Sequence, residues 1–236
     1  MTVLDIVRIG APVLRERAYE LSAEQLADPA TQAFIDDLIE TKRAADGAGL
    51  AANQVGDLRR IAVAEVAPGN PRYPYKPPIP LTVMVNPTIT PVDADTLLVN
   101  EGCLSVPDLR GDVPRSLTVR VDYLDRDGTS RSQTVRGLTA GTFQHEVDHL
   151  DGVLFVDRAD PRSLSTWQEF EHHGKAAFLE RIASLEPSTV PGTPEGWAQD
   201  STVPGTPEGW GQRSTVPGTP EGSGQGSTVP GTPEGG

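Results

Sequence analysis

The sequence predicts an α+β domain with mixed or antiparallel β-sheets around a central HExxH helix of metal-binding spacing, followed by a disordered, repetitive C-terminal tail. Three observations predict it. Apolar residues recur at helical spacing near both ends of the domain, alternating apolar and polar residues mark strands between them, and a Pro- and Gly-rich 13-residue repeat takes over near residue 187. The folded domain is therefore expected over 1–186 and the tail over 187–236.

Asp28-Pro29 reads as an N-cap and a first helical residue, and Phe34, Ile35, Leu38 and Ile39 then share a face until Gly47 stops the run. A helix is expected over about 29–45. Arg60 to Val66 and Leu81 to Val85 are β-rich runs, and the Pro-laden stretch from Pro68 to Pro80 between them is expected to be a surface loop. Leu117, Val119, Val121 and Tyr123 alternate with polar residues, and Asp127-Gly128 supplies a hairpin turn before a strand from Ser130 to Arg136. Gly137 leads into the helix that carries His145 and His149, which Gly152 should close. A last helix is expected to open at Asp160-Pro161, with Trp167, Phe170, Phe178 and Ile182 as its apolar face.

From Ser188 the segment Ser-Thr-Val-Pro-Gly-Thr-Pro-Glu-Gly recurs at Ser201 and Ser214, and in a last shortened copy at Ser227. With two prolines and valine as its only aliphatic residue, the segment cannot bury enough apolar surface to offset the entropy of ordering it. A solenoid is the competing reading of a repeat, but a Pro-rich unit without helical or strand period is poor material for one. Trp197 and Trp210 lie in this tail and are either docking elements for a partner or incidental to the repeat.

The formal net charge is −13, of which Glu195, Asp200, Glu208, Glu221 and Glu234 against Arg213 place −4 beyond residue 187, leaving −9 on the domain. Such an acidic surface argues against direct, sequence-specific nucleic-acid binding. Met1 to Asp5 lack the charged start and apolar run of a signal peptide, and no stretch approaches the length of a membrane span. A cytoplasmic protein without a membrane partner is expected, and the lone Cys103 fits a reducing compartment.

His145-Glu146-Val147-Asp148-His149 puts two imidazoles four residues apart, so on a helix both reach one metal ion from the same face. Glu146 follows about 100° round the helix, close enough to handle the proton of an activated water without being a ligand. Chance occurrence on a charged helix is the competing reading. The remaining histidines, His172 and His173, are adjacent, face different directions on a helix and read as solvated surface.

Three separated motifs need one explanation: Gly47-Ala48-Gly49-Leu50-Ala51-Ala52-Asn53-Gln54, Glu101-Gly102-Cys103-Leu104-Ser105, and Gln144-His145-Glu146-Val147-Asp148-His149-Leu150. In this order and at these separations they resemble the signature motifs of the peptide deformylase family, from the N-terminus to about residue 180. The resemblance implies that Cys103, His145 and His149 are the metal ligands, holding Fe2+ in the usual family case, with Zn2+, Ni2+ or Co2+ as alternatives. It implies hydrolysis of the N-formyl group from the initiator methionine of nascent peptides, with a possible ribosome association. Glu146 would carry the proton, and the Gln54 amide and the Leu104 backbone N–H would stabilise the oxyanion. Ala48, Gly49 and Gly102 would pair with the substrate backbone, while Leu138, Gly141 and Thr142 would wall the methionine pocket.

Ala48 and Gly141 are small where many family members carry larger aliphatic residues, which predicts a roomier pocket. Glu101 is expected to pair with an arginine such as Arg115, and Asp148 to cap or orient a neighbour. Arg110 has two readings, a substrate contact or a surface role. The rival functions are a zinc peptidase and a catalytically inert binding module. Against the first, the third ligand is a cysteine upstream of the helix; against the second, every ligand and the glutamate are present.

Overall fold

The computed structural model describes residues 1–70 and 72–185, so the expected repeat tail, with Trp197 and Trp210, lies outside the described residues. Two antiparallel sheets form. One has the order β1 (Gly49–Ala51), β2 (Ile61–Val66), β3 (Ile79–Pro91), β6 (Thr118–Leu124) and β7 (Ser130–Arg136); the other joins β4 (Thr96–Cys103), β5 (Val106–Ser116) and β8 (Ser165–Thr166).

Side chains of β2 alternate between two cores, as the period of a strand requires. Ala62 and Ala64 pack with Ala140, Phe143 and Leu150 of the central helix, Gly137–Leu150, whereas Ile61 and Val63 pack with Ile35, Leu38 and Ile39 of the helix Pro29–Ala44. Alanines on one face let the central helix approach the sheet closely. On the other face Ile35 and Leu38 are fully buried, each worth roughly 1.5–3 kcal/mol. In chain order the helices are α1 (Ala23–Ala27), α2 (Pro29–Ala44), α3 (Gly137–Leu150), α4 (Phe155–Arg158), α5 (Trp167–Glu169) and α6 (Lys175–Ile182).

Helix α2 starts as expected: Asp28 accepts the Ala30 N–H at 2.9 Å with Pro29 in the first turn. At its other end Asp46, not Gly47, takes the left-handed conformation, with φ of 50°. Just beyond α3 stands Gly152, where φ is 75° and a Cβ would fall 2.7 Å from the Arg15 carbonyl oxygen, so both backbone and packing call for glycine.

Three expectations are corrected. The stretch from Pro68 to Pro80 is not simply a surface loop, because Tyr73 is buried and packs into the core that contains α3. Strand β3 is longer than Leu81 to Val85; it runs through Pro87 by shifting register between Val85 and Thr88, where Asn86 adopts φ of 52°. Asp160-Pro161 caps only the short turn Pro161–Ser163, since Ser165–Thr166 next pairs with Leu109 and Arg110 of β5. Thr166 then caps α5, and a π-helical turn over Phe170–Gly174 joins it to α6, burying Phe170, Phe178 and Ile182 while Trp167 stays partly exposed.

Candidate active site

Cys103 ends β4 just before the two-residue turn Leu104-Ser105, and His145 and His149 lie one turn apart on α3. Their ligand atoms all lie within 4.8 Å of one another, with Cys103 Sγ 3.2 Å from His149 Nε2. Two buried donors, Cys103 and His149, and the partly buried His145 converge in a way that fits one divalent ion, a three-ligand set that would leave room for water or substrate. Burial opposes charge on the Cys103 thiol, yet the charge of His149 and hydrogen bonds from both histidines hold its pKa well below the ordinary value. The sulfur is thus poised as a thiolate.

Ion-paired side chains fix His145 from behind. Glu101 binds Arg115 through two bonds of 2.7 and 2.9 Å, and its Oε2 accepts from His145 Nδ1 at 2.8 Å. That bond orients the imidazole and leaves Nε2 as the ligand atom. Burial would raise the Glu101 pKa, but Arg115 and His145 outweigh it and keep the carboxylate ionised. Asp148 completes the chain, accepting from Arg115 Nη1 at 2.5 Å and from Arg158 at 2.7 and 2.8 Å. Glu101 pairs with Arg115 as expected, and Asp148 orients that arginine.

Glu146 is 3% exposed, and its Oε2 is buried without a hydrogen-bond partner. Burial raises its pKa above the usual carboxylate value against the opposing charges of His145 and His149. A raised pKa makes this carboxylate a better proton acceptor than an ordinary one. Glu146 lies directly against Gly49: a Cβ there would fall 2.2 Å from Glu146 Oε1.

Gln54 reaches the same cavity, its Nε2 3.1 Å from Ser105 Oγ and 3.5 Å from Cys103 Sγ, while its Oε1 accepts from the Ala51 N–H at 2.9 Å. Leu104 lies beside it, and the N-terminal segment braces both: the Val7 N–H donates to the Gln54 carbonyl at 2.8 Å and Arg8 donates to the Leu104 carbonyl. Ala48, Gly49, Gly102, Gly141 and Thr142 also line the cavity. Leu138 does not. It is buried among Val99, Phe170, Phe178 and Ile182, and its carbonyl accepts from the Thr142 hydroxyl at 3.0 Å.

At Gly141 a Cβ would meet the Val99 side chain at 3.5 Å, an ordinary contact, so Val99 borders the space that the glycine leaves. Arg110 loses its surface reading, being 1% exposed, bonded to Asn100 and held 4.5 Å from each of the Trp167 and Phe170 rings. Tyr73, Tyr75 and Lys76 line the cavity but were not picked out from the sequence. Two tyrosines in a Pro-rich segment were the available signal, since a solvated loop has no use for such aromatic surface. The exposed pair His172 and His173 takes no part in the site.

A buried cysteine and two histidines able to share one ion, with an unpartnered carboxylate beside them, define a metal-dependent hydrolase. The model of the family described as polypeptide deformylase matches residues 3–165. The chain is 43% identical over 170 residues to peptide deformylase 2 of a Nostoc species, covering 72% of this chain and 93% of the relative. It is also similar to a Met-Ala-Ser-bound class I type b peptide deformylase from Acinetobacter baumannii, with a TM-score of 0.64, 39% identity and coverage of 66% of this chain and 98% of that one. A deformylase structure from Thermotoga maritima gives a TM-score of 0.59 at 36% identity, covering 68% of this chain and 100% of that one.

The chain belongs to the polypeptide deformylase family. Its activity is metal-dependent deformylation at peptide N-termini, and one catalytic divalent metal belongs to that activity. Among the described residues no helix is long and apolar enough to cross a membrane.

Proposed function

We propose that residues 1–186 form the catalytic domain and remove the formyl group from N-formylmethionyl nascent peptides in the cytoplasm, with Cys103, His145 and His149 as metal ligands and Fe2+ as the native ion. The convergence of those three ligand atoms beside Glu146 carries the proposal. When bound, the metal supplies Lewis acidity that polarises the formyl oxygen and lowers the pKa of water. Glu146 accepts the proton of the attacking water as its oxygen bonds to the formyl carbon. It returns that proton to the amine nitrogen as the C–N bond breaks, releasing formate and a free N-terminus.

Negative charge on the formyl oxygen is met by the Gln54 amide and the Leu104 backbone N–H, both held from behind by the N-terminal segment. The peptide aligns along Ala48, Gly49 and Gly102 in extended form. Its methionine side chain enters beside Gly141, Thr142 and Val99, with Leu138 setting the Thr142 hydroxyl rather than forming the wall itself. The ribosome, from which these nascent peptides emerge, is the further partner proposed.

The test is formate release from formyl-Met-Ala-Ser by anaerobically purified full-length protein. Release of formate with the Met–Ala bond intact is expected; cleavage of that bond would instead support a peptidase, and neither product would support an inert binding module.

A further inference from the structure

Lys76 stands out in the cavity because the ligand and proton machinery leaves it unused. Its Nζ donates to Thr142 Oγ1 at 2.8 Å and lies 4.9 Å from the centre of the Tyr73 ring, and no carboxylate forms an ion pair with it among the described residues. Burial lowers the Lys76 pKa to about 8, and Glu101 and Glu146 oppose this through space only, by their charges. Glu101 is bound to Arg115 and His145, and Glu146 faces Gly49. An ammonium has three donors, so two of those on Lys76 remain available in the cavity that also contains Gly141, Thr142 and Val99.

The Thr142 hydroxyl is itself committed: it donates to the Leu138 carbonyl at 3.0 Å and accepts from Lys76. It therefore anchors the ammonium without satisfying it. One wall of the proposed methionine pocket is apolar, through Val99 and Gly141, and the other is a cation with spare donors. A thioether is a weak acceptor and uses little of this. Its oxidised form is different, since methionine sulfoxide places a strong S=O acceptor on the same side-chain skeleton.

We propose that Lys76 is a specificity-determining residue that lets this enzyme deformylate peptides whose formylated first residue is methionine sulfoxide. The inference rests on the pocket assignment made under the proposed function. In an apolar pocket the sulfoxide oxygen would be buried without a partner, and its peptides would be rejected. Here Lys76 donates to that oxygen while Thr142 keeps the ammonium in place.

The experiment compares kcat/KM for formyl-Met(O)-Ala-Ser with that for formyl-norleucine-Ala-Ser, whose first side chain has similar length and no acceptor, using full-length metal-loaded protein. The wild type is expected to turn over the sulfoxide peptide within about tenfold of the norleucine peptide, and Lys76→Met to lower that ratio by roughly tenfold or more, the usual effect of removing a charged donor. Lys76→Arg, which keeps a cationic donor, is expected to preserve the ratio better than Lys76→Met and covers the case in which the methionine variant does not fold. A wild-type penalty above about tenfold, or a ratio that Lys76→Met leaves unchanged, overturns the proposal. Loss of formate release from formyl-Met-Ala-Ser itself would overturn the deformylase reading as well, so the two failures are distinguishable.

Discussion

Replacing Gly49 by alanine would displace Glu146, the residue proposed to carry the proton. The added Cβ would fall 2.2 Å from Glu146 Oε1, 2.4 Å from Cδ and 2.7 Å from Cγ, whereas ordinary contact begins at 3.4 Å. The backbone cannot readily retreat, because Gly49 pairs with Ala64 in the sheet. Glu146 must therefore withdraw, and closing the gap from 2.2 to 3.4 Å moves its carboxylate oxygen by about 1.2 Å. A misplacement of about 1 Å typically costs on the order of 100-fold in rate, or about 2.7 kcal/mol of transition-state stabilisation. The assay is formate release from formyl-Met-Ala-Ser, with metal content and thermal unfolding measured on the same sample. A folded, metal-replete Gly49→Ala enzyme within about threefold of wild-type turnover would refute this reasoning.

Gln54→Ala is expected to lower kcat by about 100- to 1,000-fold with metal content unchanged, and wild-type turnover would remove Gln54 from the oxyanion site. Arg115→Leu strands the buried Glu101 carboxylate, so urea unfolding should report a loss of about 3–5 kcal/mol; a change below about 1 kcal/mol would contradict the role assigned to this pair. Glu65 bridges Lys42 and Arg43, and the Arg43 hydrogen bond leads the interactions that lower its pKa from 4.5 to about 2 against the opposing effect of burial. Because the folded-state pKa is depressed, this stabilisation is present above pH 4.5 and is lost as pH falls towards 2. Glu65→Gln should flatten that part of the stability–pH curve, and an unchanged slope would show that other carboxylates account for it.

The most legible parts of the sequence were those whose chemistry is local. His145 and His149 announce their shared face through helical spacing alone, and Asp28-Pro29 and Gly152 mark helix ends through backbone preferences. The β4–β5 hairpin was harder to see. Pro107 and Pro114 interrupt β5, and the strand tolerates them because β8 pairs only with Leu109 and Arg110, leaving both prolines outside that ladder. Gly102 and Cys103 gain their place in the site from this hairpin.

Long-range contacts account for the rest. The Glu101–Arg115–Asp148–Arg158 chain joins four elements, and no local pattern announces it beyond the charges themselves. Lys76 becomes meaningful only when the Pro-rich segment folds over α3 and meets Thr142. Leu138 is a different case: the family resemblance implied a pocket wall, and here Phe170, Phe178 and Ile182 pack over its side chain.

The most direct test of the central claim compares metal content and formate release in wild-type and Glu146→Ala protein purified anaerobically. The account predicts about one equivalent of metal in both and turnover lowered by about 100- to 10,000-fold in the variant, because Glu146 carries a proton and does not hold the ion. Loss of the metal from Glu146→Ala, or turnover equal to wild type with the metal retained, would contradict it.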